Sequence, residues 1–360
     1  MKRIAIVILN WNGADMMRRF LPSVVANSPE ADVIVIDNGS TDASLQYLRD
    51  EMPQVRIIAL DSNYGFAEGY HRGLKMLEED PPQPSLEGRE HSSPLRGGQE
   101  GSYYLLLNSD VEVHEGWLQP MLSYMDAHPE VAACQPKLLC QWAPDMFEYA
   151  GASGGYIDAL GYPYCRGRVF GTVEKDEGQY DDIAPVLWAT GAALLIRSRD
   201  YWDVGGLDGR FFAHQEEIDL CWRLRSRGRG VVCVPQSVAY HLGGGTLPQG
   251  NPKKDYLNFR NNLLLLYKNL PAGRLWKVMF LRFWLDALAS VRFILRGQYR
   301  SFLAVWRARF DFWCLLPQFR KDRKENLRQA KLKSVPEQSS FSLLWQYHVK
   351  GRKTWKTLPK

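Results

Sequence analysis

The chain has 360 residues, a formal net charge of +5, and 45% hydrophobic and 12% aromatic residues, enough for one large catalytic domain with its own core plus an appendage. No stretch reaches about 18 uncharged apolar residues, and the six cysteines show no Cys-x-x-Cys or Cys/His spacing, which excludes a membrane-spanning helix and a zinc framework. The net charge hides a split: residues 251–360 carry 24 Lys and Arg against 6 Asp and Glu, while residues 1–250 carry 21 against 34.

From the N-terminus, IAIVIL (4–9) is a continuous apolar run, as in a strand buried on both faces, and it is too short for a signal peptide. A helical pattern follows over about 14–27. ADVIVIDNGS is a second strand ending in a turn, and TDASLQYLRDEM is a helix opened by Ser40 or Thr41 with Asp42 in its first turn. VRIIAL is a third strand. GFAEGYHRGLKMLEED is a third helix, with Gly65, Gly69 and Gly73 on one side where a backbone or ligand can come close. Residues 81–101, rich in Pro, Gly, Ser and charge, read as a mobile surface loop. YYLLLNSD is a fourth strand. This alternation predicts a parallel sheet with right-handed crossovers and a ligand at the carboxyl ends of its strands. Asn10, Asp37, Asn63 and Asp110 all fall at such ends.

Beyond residue 116 the pattern is mixed. A helix, a turn and a strand are predicted over WLQPMLSYMDAHPEVAAC, irregular hairpins over 141–185, and two strands around the glycine turn of PVLWATGAALLIRS. One or two short strands precede His241, a flexible loop spans GGGTLPQGNPKK, and helices run from Asp255 to about Phe319. The cysteines read as reduced and mostly buried, as in a cytoplasmic protein.

Two stretches carry the chemistry. In YYLLLNSDVEV (103–113) a strand ends in Asp110; a hard cation, Mg²⁺ or Mn²⁺, is held by one or two carboxylates plus substrate phosphates, so Asp110 is the first candidate ligand and Glu112 the second. Asn108 is placed to bind a sugar or ribose hydroxyl. In FFAHQEEIDLCWR (211–223) the acids Glu216, Glu217 and Asp219 open an amphipathic helix. The helix dipole explains part of that clustering; the excess suits a general base whose neighbours raise its pKa. Asp37 either accepts the imide N–H of a pyrimidine base or closes an Asp-Asn-Gly turn. NYGFAEG (63–69) offers Asn63 and Gly65 to a nucleotide at the helix start, or serves packing alone. His241 follows a strand and either completes a metal site or is structural.

These motifs in this order resemble the family 2 glycosyltransferases, most closely their rhamnosyltransferase-like branch. The resemblance rests on ILNWNG (8–13), VIVIDNGSTD (33–42), NYGFAEGYHRGL (63–74), LLLNSDVEV (105–113), TGAALLIRS (190–198), GGLDGRFFAHQEEIDLCWRLRSRG (205–228) and YHLGGGT (240–246), and covers about residues 1–270. It implies the GT-A nucleotide-sugar transferase fold: an α/β, Rossmann-like, mostly parallel sheet flanked by helices. Residues 1–250 would form the catalytic domain and 251–360 a basic, aromatic helical extension. It implies Asp37 as the base-recognising acid, and Asn108 and Asp110 in the frame of an Asp-x-Asp metal motif whose first position is Asn here. Glu217 falls where the family usually has a catalytic Asp, with Glu216 or Asp219 as substitutes, and His241 matches a metal ligand of some relatives. The implied reaction is a single inverting displacement from a nucleoside-diphosphate sugar, of which dTDP-rhamnose is one, onto a saccharide or lipid-linked saccharide in cell-surface polysaccharide synthesis.

Arg260 and Asn261 fall where the family has an Arg-Asn pair on a trailing helix. The segment after them mixes Trp, Phe and Leu with Arg, which suits helices lying in a membrane interface and drawn to anionic lipid, at the inner face of the cytoplasmic membrane. Two simpler readings are a helical hairpin packed on the catalytic domain and nucleic-acid binding; the latter has only charge in its favour and no motif, so no nucleic-acid partner is expected. A different functional class is a catalytically weak nucleotide-sugar-binding or scaffold protein, suggested by the Glu-Glu pair and by Asn108. A nucleotidyltransferase would carry a Gly-rich loop with Arg or Lys where this chain has NWNGAD.

Overall fold

A computed structural model describes residues 2–79, 101–243, 250–332 and 334–359. The insertion expected over 81–101 falls, but for Gly101, outside the described residues, as do residues 244–249 of the expected glycine-rich loop.

Strands β1 (Ile4–Asn10), β2 (Asp32–Asn38), β3 (Arg56–Leu60) and β4 (Tyr103–Asn108) pair in parallel in the order β3-β2-β1-β4. The continuous apolar runs predicted this: β1 and β4 are buried along nearly their whole length because helices cover both faces. Helices α1 (Ala14–Ala26), α2 (Ser44–Glu51) and α3 (Phe66–Glu79) make the crossovers. The helix expected from Ser40 or Thr41 begins instead at Ser44, because Asp42 spends its carboxylate elsewhere. It accepts from the Ser44 N–H and from the Ala14 N–H, both at 3.0 Å, so one side chain holds the starts of two helices.

A short strand β5 (Val111–Val113) and helix α4 (Gln119–Ala127) lead into β6 (Val131–Cys140) and β7 (Ala143–Phe147). The irregular region becomes a small antiparallel sheet of β8 (Gly155–Ile157), β9 (Pro163–Cys165), β10 (Arg168–Val169) and β11 (Thr172–Val173). Then come β12 (Ala184–Pro185), β13 (Ala193–Arg197), α5 (Ser198–Asp203), α6 (Glu216–Ser226) and β14 (Gly230–His241). The main sheet has ten strands in the order β12-β14-β6-β13-β4-β1-β2-β3, with β5 on β14 and β7 on β6. Strand β13 runs antiparallel to both neighbours, so the sheet is mixed but mostly parallel. The short strands expected before His241 are one twelve-residue strand, bent by a bulge between Val234 and Val238.

Gly69 and Gly73 let α3 lie directly on the sheet. A Cβ on Gly69 would touch Asn38 and Leu9, and one on Gly73 would overlap the Ile36 side chain. The close partner is thus the protein itself. Gly73→Ala is therefore expected to destabilise by about 1–3 kcal/mol, the usual cost of forcing an extra methyl into a packed core, read as a lower urea midpoint at unchanged slope.

The basic segment forms α7 (Pro252–Asn269), α8 (Ala272–Leu295) and α9 (Tyr299–Gln329). Leu263, Leu264, Leu265 and Leu266 of α7 are fully buried in the same core as β1, β2 and α6. Residues after α9 return to the small sheet, where Gln338 bridges Ile157 and Glu337 ion-pairs with Arg225 at 2.6 Å. Among the described residues no helix is long and apolar enough to cross a membrane.

Candidate active site

The ends of β4 and β14 bring the first cluster together. The pair Val111–His241 is in register across the β5–β14 ladder, and the Leu242 N–H donates to the Asp110 carbonyl at 3.1 Å. This sets His241 Nε2 3.1 Å from Asp110 Oδ1 and 3.4 Å from Asn108 Nδ2. The other ring nitrogen, Nδ1, lies 3.3 Å from Glu148 Oε1. Glu148 is 4% exposed, and its second oxygen accepts the N–H groups of Ala150 (2.6 Å) and Gly151 (3.0 Å), which fixes the carboxylate behind the imidazole. Burial opposes charge on His241, but the two carboxylates outweigh it and push its pKa up to about 10. Burial likewise pushes Asp110 up, yet the His241 hydrogen bond and charge hold it below the usual carboxylate range.

Among the described residues no group of three or more His, Cys, Asp or Glu is arranged to hold a metal ion. Asp110 and His241 nevertheless fit part of a cation site that substrate phosphates would complete. Asp110 Oδ1 and His241 Nε2 lie side by side, 3.1 Å apart, a carboxylate and an imidazole of the kinds that could hold such a cation. A carboxylate on the far nitrogen is the usual support of a metal-bound histidine.

Glu112 does not join this cluster. Cross-strand partners share a face, and Glu112 pairs with Tyr240, so its side chain points away from His241. It accepts from Gln141 Nε2 at 3.3 Å and stands 3.9 Å from His114. Glu112, two residues beyond Asp110, would share its face only in a continuous strand, but Ser109 and Asp110 form a turn between Asn108 and Val111.

The second cluster opens α6. The preceding loop is strained: Phe212, His214 and Gln215 have φ of 67°, 72° and 72°. Helix α7 holds it there. Asn261 Nδ2 donates to the carbonyls of Phe211 (2.9 Å), Ala213 (2.8 Å) and His214 (2.8 Å), while Arg260 donates to that of Phe211 at 2.8 Å. Asn262 donates to Gln215 Oε1 at 2.9 Å. The Arg-Asn pair is thus the clamp on the loop that delivers the acids.

Glu216 and Glu217 each have one buried carboxylate oxygen without a hydrogen-bond partner. Burial raises the Glu217 pKa to about 7 against the lowering pull of nearby backbone N–H groups. Glu216 is raised well above the ordinary range by burial and then by the Glu217 charge. Of the two, Glu217 is the one poised to exchange a proton near neutrality. Asp219 is a different case. It is fully buried and bound to Arg223 Nε (2.9 Å), Lys268 Nζ (2.8 Å) and Asn269 Nδ2 (2.7 Å). It has no carboxylate oxygen left over for a substrate proton.

The two clusters are neighbours through the turn before β13. The Asn108 N–H donates to the Ala192 carbonyl at 3.0 Å, and a Cβ on Gly191 would stand 3.8 Å from Glu217 Cβ.

The remaining predicted residues brace loops in this structure. Asp37, 1% exposed, accepts Asn10 Nδ2 at 3.1 Å and the Ser40 N–H at 3.0 Å. The Asn10 carbonyl oxygen is buried without a donor. Asn63 is exposed and its Oδ1 accepts from Asn38 Nδ2 (3.1 Å) and the Gly65 N–H (2.8 Å). Gly65, at φ 80°, makes room for the Phe212 ring, which a Cβ would meet at 2.5 Å. The Phe212 carbonyl caps α3 by accepting from Phe66 (2.7 Å) and Ala67. The glycine turn thus joins α3 to the acid-bearing loop, and its free N–H groups are already used.

Residues 5–150 match the family model described as Glycosyl transferase family 2. The N-acetylglucosaminyl-diphospho-decaprenol L-rhamnosyltransferase of Mycobacterium tuberculosis is 26% identical over 249 residues, covering 66% of this chain and 75% of that protein. The rhamnosyltransferase WbbL of Escherichia coli is 23% identical over 238 residues, covering 66% and 83%. The crystal structure of GalNAc-T7 with UDP, GalNAc and Mn²⁺ superimposes with a TM-score of 0.52 at 15% identity, over 73% of this chain and 47% of that one; this likeness is one of fold.

Proposed function

We propose, for a chain that belongs to the family 2 glycosyltransferases of rhamnosyltransferase-like kind, an inverting transfer of a sugar from a nucleoside diphosphate to a saccharide or lipid-linked saccharide hydroxyl. The observation that carries it is Glu217: a carboxyl near pKa 7, with one oxygen unpaired, beside the strand end that bears Asn108 and Asp110. Glu217 takes the proton of the acceptor hydroxyl. The freed oxygen attacks the anomeric carbon on the face opposite the diphosphate, which departs; the attacking bond forms as the glycosyl–phosphate bond breaks. Glu216, buried beside Glu217, resists a second charge in the pair. Asn261, Arg260 and Asn262 keep the loop from relaxing, so the base stays fixed during transfer.

Asp110 and His241 are proposed to hold Mg²⁺ or Mn²⁺, with Glu148 orienting the imidazole. Such a cation would offset the charge gathering on the leaving diphosphate. Asn108 is assigned to a sugar or ribose hydroxyl, and the nucleoside to the strand ends carrying Asn10, Asp37 and Asn63. Residues 1–250 are taken as the catalytic part and 251–360 as the extension that supports its acid-bearing loop. By analogy with relatives named for lipid-linked substrates, the work is placed at the inner face of the cytoplasmic membrane, with dTDP-rhamnose the first donor to try.

The test is a thermal-shift screen of nucleotide sugars with and without Mn²⁺. The true donor at a hundredfold excess over its Kd adds about 2.7 kcal/mol of stability, and the others none. Glu148→Gln is expected to weaken the Mn²⁺-dependent part of that shift, read as Mn²⁺ affinity, by about 10–100-fold. A protein that no nucleotide sugar stabilises would refute the reading.

A further inference from the structure

Helix α8 is amphipathic the wrong way round for a helix packed in water. The side it buries holds Leu275, Val278 and Met279 but also Arg282, Asp286 and Ser290. These polar groups are satisfied inside the protein: Arg282 and Arg309 both pair with Asp286, the latter at 2.6 Å, and Ser290 donates to the Ala287 carbonyl at 2.7 Å. The side turned outward carries Trp276, Phe280, Trp284, Leu288, Val291 and Leu295, between 48% and 81% exposed. Their spacing of three or four residues puts them on one face.

Helix α9 repeats the pattern. Tyr299, Leu303, Trp306, Phe310 and Trp313 recur at alternating steps of four and three and are all exposed. The two rows meet. Trp276 stacks parallel to Trp313 at 6.4 Å, and an open groove of about 600 Å³ between the helices is lined by Trp276, Phe280, Trp306 and Phe310 among others. Charge is arranged with the same consistency. From Ala287 to Phe310 the chain has five arginines and no acid. Arg292, Arg296, Arg300 and Arg307 of these are exposed, around the tip and along the edge of the apolar face.

Two adjoining rows of exposed large apolar side chains mark a surface that has a partner. We propose that the outer face of the α8–α9 hairpin is the docking surface for an anionic phospholipid bilayer, lying in the interface with its tryptophans and leucines below the headgroups and its arginines on the phosphates. The alternating aromatic and aliphatic side chains with flanking Arg fit a layer that is apolar beneath and negative at its surface. A second copy of the chain fits worse, because the same face would bring the same uncompensated arginines, whereas an anionic surface answers them. This inference is independent of the sugar chemistry, since it uses no residue of the acid or cation clusters.

The test is co-sedimentation of the full chain with vesicles of phosphatidylcholine plus phosphatidylglycerol, and of phosphatidylcholine alone, at low and high salt. Binding is expected to the mixed vesicles, weaker by about tenfold or more without the anionic lipid or at high salt. Tryptophan fluorescence should be quenched by lipids brominated along the acyl chain. The double variant Leu288→Glu, Phe310→Glu changes only exposed side chains; it should lose at least about tenfold in vesicle affinity while keeping its circular dichroism and its nucleotide-sugar thermal shift. No binding to mixed vesicles at low salt, equal binding by the double variant, or a dimer that the double variant dissolves would each overturn the proposal.

Discussion

Glu217→Gln is expected to lower kcat by about 10²–10⁴-fold, the usual worth of a positioned general base, with donor affinity nearly unchanged. Glutamine keeps the length and shape of the side chain and its place near the turn at Gly191, but cannot take up the proton. The wild-type rate should rise with pH and level off above about 7, because the base acts only when ionised and burial holds its pKa there. Glu216→Gln is expected to do something different. Burial and backbone N–H groups, rather than a charge on Glu216, set the Glu217 pKa, so both the rising limb of the profile and its plateau should survive in large part. If Glu217→Gln retained the wild-type plateau, the proton would have to go to another group and the assignment would be lost. If the wild type itself bound donor without turnover, the chain would be a nucleotide-sugar-binding protein with a decayed site. The Glu-Glu pair alone, seen in the sequence, could not separate these two outcomes.

Much of the frame was readable before any coordinates. Strands buried on both faces have to be continuously apolar, so β1, β2 and β4 announced themselves, and the polar residues ending them fell at one edge of the sheet. That His241 would meet Asp110 was one of two readings left open by a His after a strand end. Glu148 was not. It lies in an irregular segment where no period marks it, and its importance comes from a contact with a residue 93 positions later. The only local sign was a Glu followed by Tyr-Ala-Gly, where the carboxylate folds back onto two N–H groups. Glu112 failed for the opposite reason: counting by twos along a strand is sound physics applied across a turn that breaks the strand. At Gly65 the left-handed backbone was foreseeable, but what fills the space above it was not, because Phe212 arrives from a loop whose conformation is set by Asn261. Sequence patterns report the surroundings of a segment when these repeat; they are silent on single contacts between distant segments.

Asp219 shows that limit at its largest energetic cost. Beside Glu216 and Glu217 it reads as a third acid of one cluster, yet its partners are Arg223, one turn on, and Lys268 and Asn269, at the end of α7. The set extends through Lys268 to Asp208 (2.7 Å) and from there to Arg210 and Asp322, three acids with three bases. Asp219→Ala should destabilise the fold by about 3–5 kcal/mol, because it strands Arg223 and Lys268 in a site closed to water with one negative charge fewer. The measurement is a urea titration, which should show a lower midpoint. The pH dependence gives an independent check. Arg223 and Lys268 hold the folded-state pKa of Asp219 below its ordinary value despite burial, so its stabilisation is present above about pH 4 and is lost as pH falls through the lower, folded value. The wild type should therefore lose stability with acid more steeply than Asp219→Ala. Asp219→Asn separates structure from catalysis: it keeps the shape, forfeits the charge, and at a temperature where it stays folded should turn over within about threefold of wild type, a change of under 1 kcal/mol in the barrier. A folded Asp219→Asn as inactive as Glu217→Gln would instead make Asp219 part of the proton-transfer machinery, and the separation of the two clusters of acid on one helix would fail.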